Sequence, residues 1–182
     1  MFYTPGPIFD NGDIKIHFLS FQHALLTAVR SARVRVWIIA YVINSNMSRQ
    51  SDPITMLLNT LARHVSHGVD VRFIVDDPPI NKPNYHCNKY FMRRLDDFKI
   101  PFITPSGKIT SHAKVVLIDD TFLFIGSHNL TKSSLTNPLD CTVELRNRDL
   151  IKTFGDVFQL LWTDRSMTSH EIGSVKKYPY YG

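Results

Sequence analysis

Cysteine is nearly absent. The 182 residues hold two, Cys87 and Cys141, too few for a disulfide framework, so the fold must rest on an apolar core. Both read as buried thiols, one on a helix and one on a strand. Long apolar runs are also lacking. The longest, Val36–Ile43, falls well short of the roughly 20 residues a helical bilayer span needs. The opening stretch, MFYTPGPIFDNGD, has neither the basic start nor the apolar centre of a signal peptide. These absences predict a cytoplasmic chain without a transmembrane segment. Metal-ligand spacing is missing too. His64 and His67 lie three apart on a helix and His86 adjoins Cys87, and neither makes a ligand set. No metal and no cofactor is expected.

Acidic residues are in deficit, 16 against 21 Lys plus Arg, which leaves a net charge of +5 and a pI near 9.3. That balance fits an anionic partner such as nucleic acid or an anionic membrane surface. A hydrophobic fraction of 43% and this length fit one globular domain. We take it as 1–182, with a core of about 13–162 and a C-terminal tail over 163–182.

What is present is a regular alternation of strand and helix patterns. Asp13–Phe18 reads as a short strand. Ser20 is a helix N-cap candidate, and Phe21, Leu25, Ala28 and Val29 follow at helical spacing to about Ser31. Arg33–Ile43 reads as a central strand covered on both faces. Asp52-Pro53 caps and starts a second helix whose apolar stripe runs from Ile54 to Val65, with Gly68 closing it. Asp70–Val75 is the next strand, so strand, helix and strand form a βαβ unit with parallel strands. A proline-rich loop over 76–84 precedes a helix carrying Cys87, Phe91, Leu95 and Phe98. Ile100–Thr104, His112–Ile118, Phe122–Ile125 and Cys141–Arg146 read as strands, and Leu150–Leu161 as a last helix. The expected architecture is an α/β, α-β-α sandwich: a mixed, mostly parallel sheet with helices on both faces.

One stretch, SHAKVVLIDDTFLFIGSHN over 111–129, carries chemistry. Alternation along a strand puts His112 and Lys114 on one face. Asp119-Asp120-Thr121 gives a turn, and the returning strand ends at Gly126-Ser127, bringing Ser127 and Asn129 back toward His112. An imidazole, an ammonium, a hydroxyl and a carboxamide then converge. Lys114 and Asn129 can donate hydrogen bonds to phosphoryl oxygens, and a neutral imidazole can attack phosphorus.

The spacing His-x-Lys, four residues, Asp, six residues, Gly-Ser-x-Asn resembles the HKD motif of the phospholipase D superfamily, without a gap or substitution. GVDVRFIVD at 68–76 resembles the strand that precedes the motif in relatives. The motif occurs once. Breaking a phosphodiester needs one group to attack and another to protonate the leaving oxygen. Chains of this size with one motif resemble the small bacterial nucleases of the superfamily, which pair two identical chains. The resemblance thus implies a homodimer with one composite site.

It also implies a metal-independent phosphodiesterase, an endonuclease on DNA or RNA with DNA favoured, working through a phosphohistidine on His112. Lys114, Asn129 and Ser127 would serve the phosphoryl group or position His112. Glu144, opposite the apolar set of its strand, matches the glutamate that orients the nucleophilic imidazole in related nucleases. Asp119 and Gly126 support the motif, Asp119 by fixing the turn. Lys108 and Lys132 flank it as substrate-binding cations, whereas Arg30, Arg33 and Arg35 read as a solvated helix end and strand edge. The alternatives are a lipid phosphodiesterase and a non-catalytic nucleic-acid-binding module.

Overall fold

Val36, Trp37, Ile38 and Ala40 are almost wholly buried, as the apolar run requires, and their strand is the spine of a large sheet. The computed structural model describes residues 6–45, 49–105, 110–164 and 167–169. In chain order the elements are β1 (Phe9–Asp10), β2 (Ile14–His17), α1 (Phe21–Ser31), β3 (Arg35–Ala40), β4 (Ile43–Asn44), α2 (Pro53–Ser66), β5 (Asp70–Val75), α3 (Tyr85–Asp97), β6 (Phe102–Pro105), β7 (Val115–Ile118), β8 (Phe122–Gly126), β9 (Leu130–Thr131), α4 (Lys132–Leu135), β10 (Thr142–Leu145), α5 (Arg148–Thr163) and β11 (Met167–Ser169). Nine strands form the main sheet in the order β1-β2-β10-β8-β7-β3-β5-β6-β11, and β4 pairs with β9 apart from it.

The sheet is mixed, with helices on both faces. The core on one face joins α1, α2 and α3 through Leu25, Val29, Ile54, Leu58, Phe91 and Met92. The other face carries α5 through Ile151 and Phe158, the latter stacked on Trp37 at 4.9 Å. Each such side chain stabilises the fold by about 1.5–3 kcal/mol through burial. The expectation of mostly parallel pairing needs correction. Only β3–β5 and β5–β6 are parallel; the other six ladders of the main sheet are antiparallel. Parallel pairing needs a long crossover, and here only α2 and α3 supply one. β1–β2 and β7–β8 are hairpins, and β7, β10 and β11 pair antiparallel with strands distant in sequence.

Local chemistry explains the ends of elements. Asp52 Oδ1 accepts the Ile54 and Thr55 N–H groups at 3.0 Å each, and Pro53 occupies the first turn of α2, where a missing N–H costs nothing. Ser20 precedes α1 but makes no side-chain cap; its hydroxyl is held instead by His17 Nδ1 at 2.9 Å. The strand read over Arg33–Ile43 is shorter than its apolar run: β3 stops at Ala40, the chain bends at Tyr41, and Ile43–Asn44 joins the small second sheet.

Asp119 sits in the β7–β8 turn with φ of 50°, a left-handed conformation that aspartate tolerates. Its carboxylate accepts the N–H groups of Arg33, Val34 and Arg35 at 2.9, 2.8 and 2.9 Å, tying the hairpin to the start of β3. Four strand residues separate it from Lys114, roughly 13–17 Å at the rise of a strand. It therefore acts on architecture, far from the imidazole. Arg35 pairs with Asp120 and lies over the Trp37 ring at 4.6 Å, so it too is committed to the fold.

Candidate active site

The open end of the sheet gathers Tyr41 beyond β3, Asp76 beyond β5, the 110–114 segment entering β7, and Gly126–Asn129 leaving β8. Strand β7 begins at Val115, so His112 and Lys114 lie in an extended lead-in and not in the strand itself. The Gly126 N–H reaches the Lys114 carbonyl at 3.3 Å, which brings the two halves of the motif together. Lys114 Nζ donates to the His112 carbonyl at 2.7 Å and stands 3.4 and 3.5 Å from the two ring nitrogens. The His112 side chain is exposed. Burial holds the Lys114 ammonium below the ordinary lysine value, with Asp140 pulling the other way.

Alternation after Gly126 sorts the next three side chains. His128 points into the core: it is 3% exposed, bonded through Nδ1 to Thr142 Oγ1 at 2.8 Å and packed on Phe21 at 4.7 Å. Burial holds its imidazole below the usual histidine value, and nearby Asp140 opposes this. Ser127 and Asn129 flank it. Ser127 Oγ donates to Asp140 at 2.8 Å and accepts the Cys141 N–H at 2.9 Å, latching the motif to the start of β10. Asn129 is fixed through its backbone N–H to Ser134 Oγ at 2.9 Å. Its Oδ1 is buried with no partner among the described residues, an unusual state for a native polar atom.

Gly126 is required by space. A Cβ there would overlap the Cys141 carbonyl oxygen and the Thr142 Cα of the neighbouring strand. Its φ is not positive, so the demand is for close approach and not for an unusual backbone.

Glu144 does not hold His112. It is 3% exposed, with Oε2 bonded to His17 Nε2 at 2.9 Å and Oε1 to Arg146 Nε at 2.8 Å. Burial alone would raise its carboxyl; the bonds from His17 and Arg146 outweigh that and leave it below the ordinary glutamate value. Its register partner on β8 is Phe124, two residues deeper than the Thr142–Gly126 pair. It therefore lies about 7 Å further from the open end. Lys132 is exposed at the start of α4, just past Asn129. Lys108 lies outside the described residues.

Three residues at this end were not singled out from the sequence. Asp140 collects Ser127 Oγ, Ser134 Oγ at 2.6 Å and Asn137 Nδ2 at 3.4 Å. Burial raises its carboxyl, but the Ser134 and Ser127 bonds and the neighbouring His128 outweigh that and hold it low. Asp76, 2% exposed, accepts the Ser111 N–H at 2.9 Å. Burial raises its carboxyl above the usual value, against the bonds from Ser111 and Asn84. Tyr41 packs on His112 with ring centroids 4.4 Å apart. Tyr41 and Asp76 share a signal: each is the first residue beyond a strand of a parallel pair, at the carboxyl end where open α/β sheets place ligands. Asp140 carries no comparable signal.

The exposed imidazole and the flanking donors thus lie together at the open end of the sheet. The family described as "Cardiolipin synthase, PLD-like domain" matches residues 25–162, and the chain belongs to it. It is thus a member of the phospholipase D superfamily. Phospholipase D Y of Dictyostelium discoideum is 23% identical over 117 residues, 64% of this chain; the chain spans 27% of that protein's length. The phospholipase D family member Nuc from Salmonella typhimurium superposes with a TM-score of 0.68 at 20% identity, over 87% of this chain and 97% of that one. Phosphatidylserine synthase from Haemophilus influenzae Rd KW20 superposes with 0.69 at 13% identity, over 90% of this chain and 42% of that one. Among the described residues no helix is long and apolar enough to cross a membrane.

Proposed function

We propose that this chain is an endonuclease that hydrolyses DNA or RNA phosphodiesters, DNA preferred, without a metal ion and through a covalent phosphohistidine on His112, in an active site shared by two copies of the chain. The observation that carries the reading is the solitary, exposed His112 beside Lys114. His17 and His128 are buried and turned to other partners, and among the described residues no second imidazole touches His112. One imidazole cannot attack phosphorus and protonate the leaving oxygen in the same step. A two-fold axis through the open end brings a second His112 opposite the first.

In that site one His112 displaces the leaving oxygen and takes the phosphoryl group. The other donates a proton to the leaving oxygen, then removes one from the water that frees the first. Lys114 and Asn129 of both copies hold the non-bridging oxygens, and Lys114 supplies the positive charge that a metal ion provides in other phosphodiesterases. Ser127, bonded to Asp140, holds the strand end that carries Asn129. Lys132 adds an exposed cation for the rest of the nucleic acid, and Lys108 is assigned the same role from its place beside the motif in sequence. The basic charge balance fits an anionic substrate, nucleic acid or anionic lipid alike, so the assay below separates the two.

The test is purified protein in excess EDTA against single-stranded DNA, duplex DNA, RNA and phospholipid vesicles. Cleavage of a nucleic acid at the rate seen without chelator is expected. Activity lost in EDTA and restored by added metal contradicts the mechanism, and release of a lipid headgroup with nucleic acids intact favours the lipid reading.

A further inference from the structure

No hydrogen bond to a carboxylate holds the His112 ring among the described residues. Its segment lies outside the strand, its side chain is exposed, and no carboxylate bonds its nitrogens: Glu144, Asp140 and Asp76 are occupied by other partners. Lys114 meets the ring only at 3.4–3.5 Å. The one packed surface under it is Tyr41, at 4.4 Å between centroids and 53° between planes. The same Tyr41 ring lies 4.8 Å from Lys114 Nζ. One aromatic ring therefore touches both reactive side chains.

The backbone that carries that ring is itself fixed. The Tyr41 carbonyl accepts Asn88 Nδ2 at 2.8 Å, and the same amide group donates to the Asp76 carbonyl at 2.8 Å. Asn88 Oδ1 accepts the Ile43 N–H at 3.0 Å, and Asn88 is wholly buried. On the strand side, the Asp76 N–H reaches the Ala40 carbonyl at 3.0 Å. Asp76 then accepts the Ser111 N–H, one residue before His112. A single buried amide thus joins the Tyr41 bend, the end of β5 and, through Asp76, the segment carrying His112. The Tyr41 hydroxyl has no partner among the described residues.

We propose that Tyr41 is a positioning residue of this site: its ring is the floor that sets the His112 imidazole and the Lys114 ammonium side by side in the attacking geometry. The ammonium gains a cation–π contact, and the imidazole loses rotamers that would carry it away from phosphorus. A displacement of about 1 Å in a reacting group is enough to cost about 100-fold in rate. The kinetic part rests on the reading that His112 attacks phosphorus; the structural part does not.

The experiment compares Tyr41→Leu, Tyr41→Met and Tyr41→Phe with the wild type. The imidazole proton signals of His112, assigned by their loss in His112→Asn, report the ring contact directly. We expect them shifted by the Tyr41 ring current in the wild type and in Tyr41→Phe, and at free-imidazole positions in the two aliphatic variants. On the wild-type substrate, kcat falls about 30- to 100-fold in the aliphatic variants with KM within about threefold, and Tyr41→Phe restores it. Thermal melting of each variant separates loss of folding from loss of positioning, and the methionine variant stands in if leucine does not fold. His112 signals that do not differ between the wild type and the aliphatic variants overturn the proposal. So does an unchanged kcat, or a loss that Tyr41→Phe shares. A wild type that cleaves no substrate but keeps the shifted signals counts against the proposed function and leaves the positioning role standing.

Discussion

His112→Asn lowers turnover by at least about 10⁴-fold and leaves substrate affinity within about threefold. Asparagine keeps the polarity and much of the bulk of histidine but cannot form the phosphoryl intermediate or carry a proton. The side chain is exposed and, among the described residues, its ring meets Tyr41 and Lys114, so the loss does not come through folding. Lys114 and Asn129 still meet the phosphate, which is why binding survives. Single-turnover kinetics with a parallel binding titration on the substrate that the wild type cleaves measure both quantities. A variant working at a tenth of the wild-type rate shows that another group attacks. Loss of binding in step with loss of turnover shows that His112 serves recognition.

The largest effect on stability is expected at Gly126. The added methyl of Gly126→Ala meets backbone on the neighbouring strand, at Cys141 and Thr142, and backbone cannot swing aside as a side chain can. Separating β8 from β10 there strains the Ser127 N–H bond to the Cys141 carbonyl at 2.8 Å and the Ser127–Asp140 latch. Overpacking of this kind costs about 3 kcal/mol. At this chain length that lowers the melting temperature by roughly 6–12 °C, and the Ser127–Asn129 end moves with it, so activity falls too. Thermal melting followed by circular dichroism decides the point. A variant melting with the wild type shows that the strands have room to separate, and that the glycine of the motif serves something other than close approach.

The parts of this fold legible in the sequence are those set by neighbouring residues. Asp52-Pro53 announced the start of α2 because capping is local, and the apolar stripe after it fixed the βαβ unit. The motif announced itself because six residue types at fixed spacing carry their own geometry. Features that depend on distant partners were not legible. The apolar run through Tyr41 gives no sign that β3 ends at Ala40, because the bend is held by Asn88, 47 residues away. Glu144 alternates like a solvent-facing strand residue. It is buried because His17, 127 residues earlier, meets its carboxylate. Without that partner a buried carboxylate would be costly. The strand that carries His17 adds to the sheet's antiparallel share: β2 pairs with β10, a neighbour that periodicity cannot name.

The account rests on two copies making one site, and a mixed dimer tests this most directly. Wild-type and His112→Asn chains carrying different tags are co-expressed, the heterodimer is isolated through both tags, and its cleavage rate is set beside that of the wild-type dimer. Each mixed dimer holds one His112 where the step needs an attacking and a protonating imidazole, so the predicted rate is near that of the fully substituted protein. A heterodimer retaining half of the wild-type activity, or a wild-type chain that is monomeric and fully active at assay concentration, shows that each copy works alone.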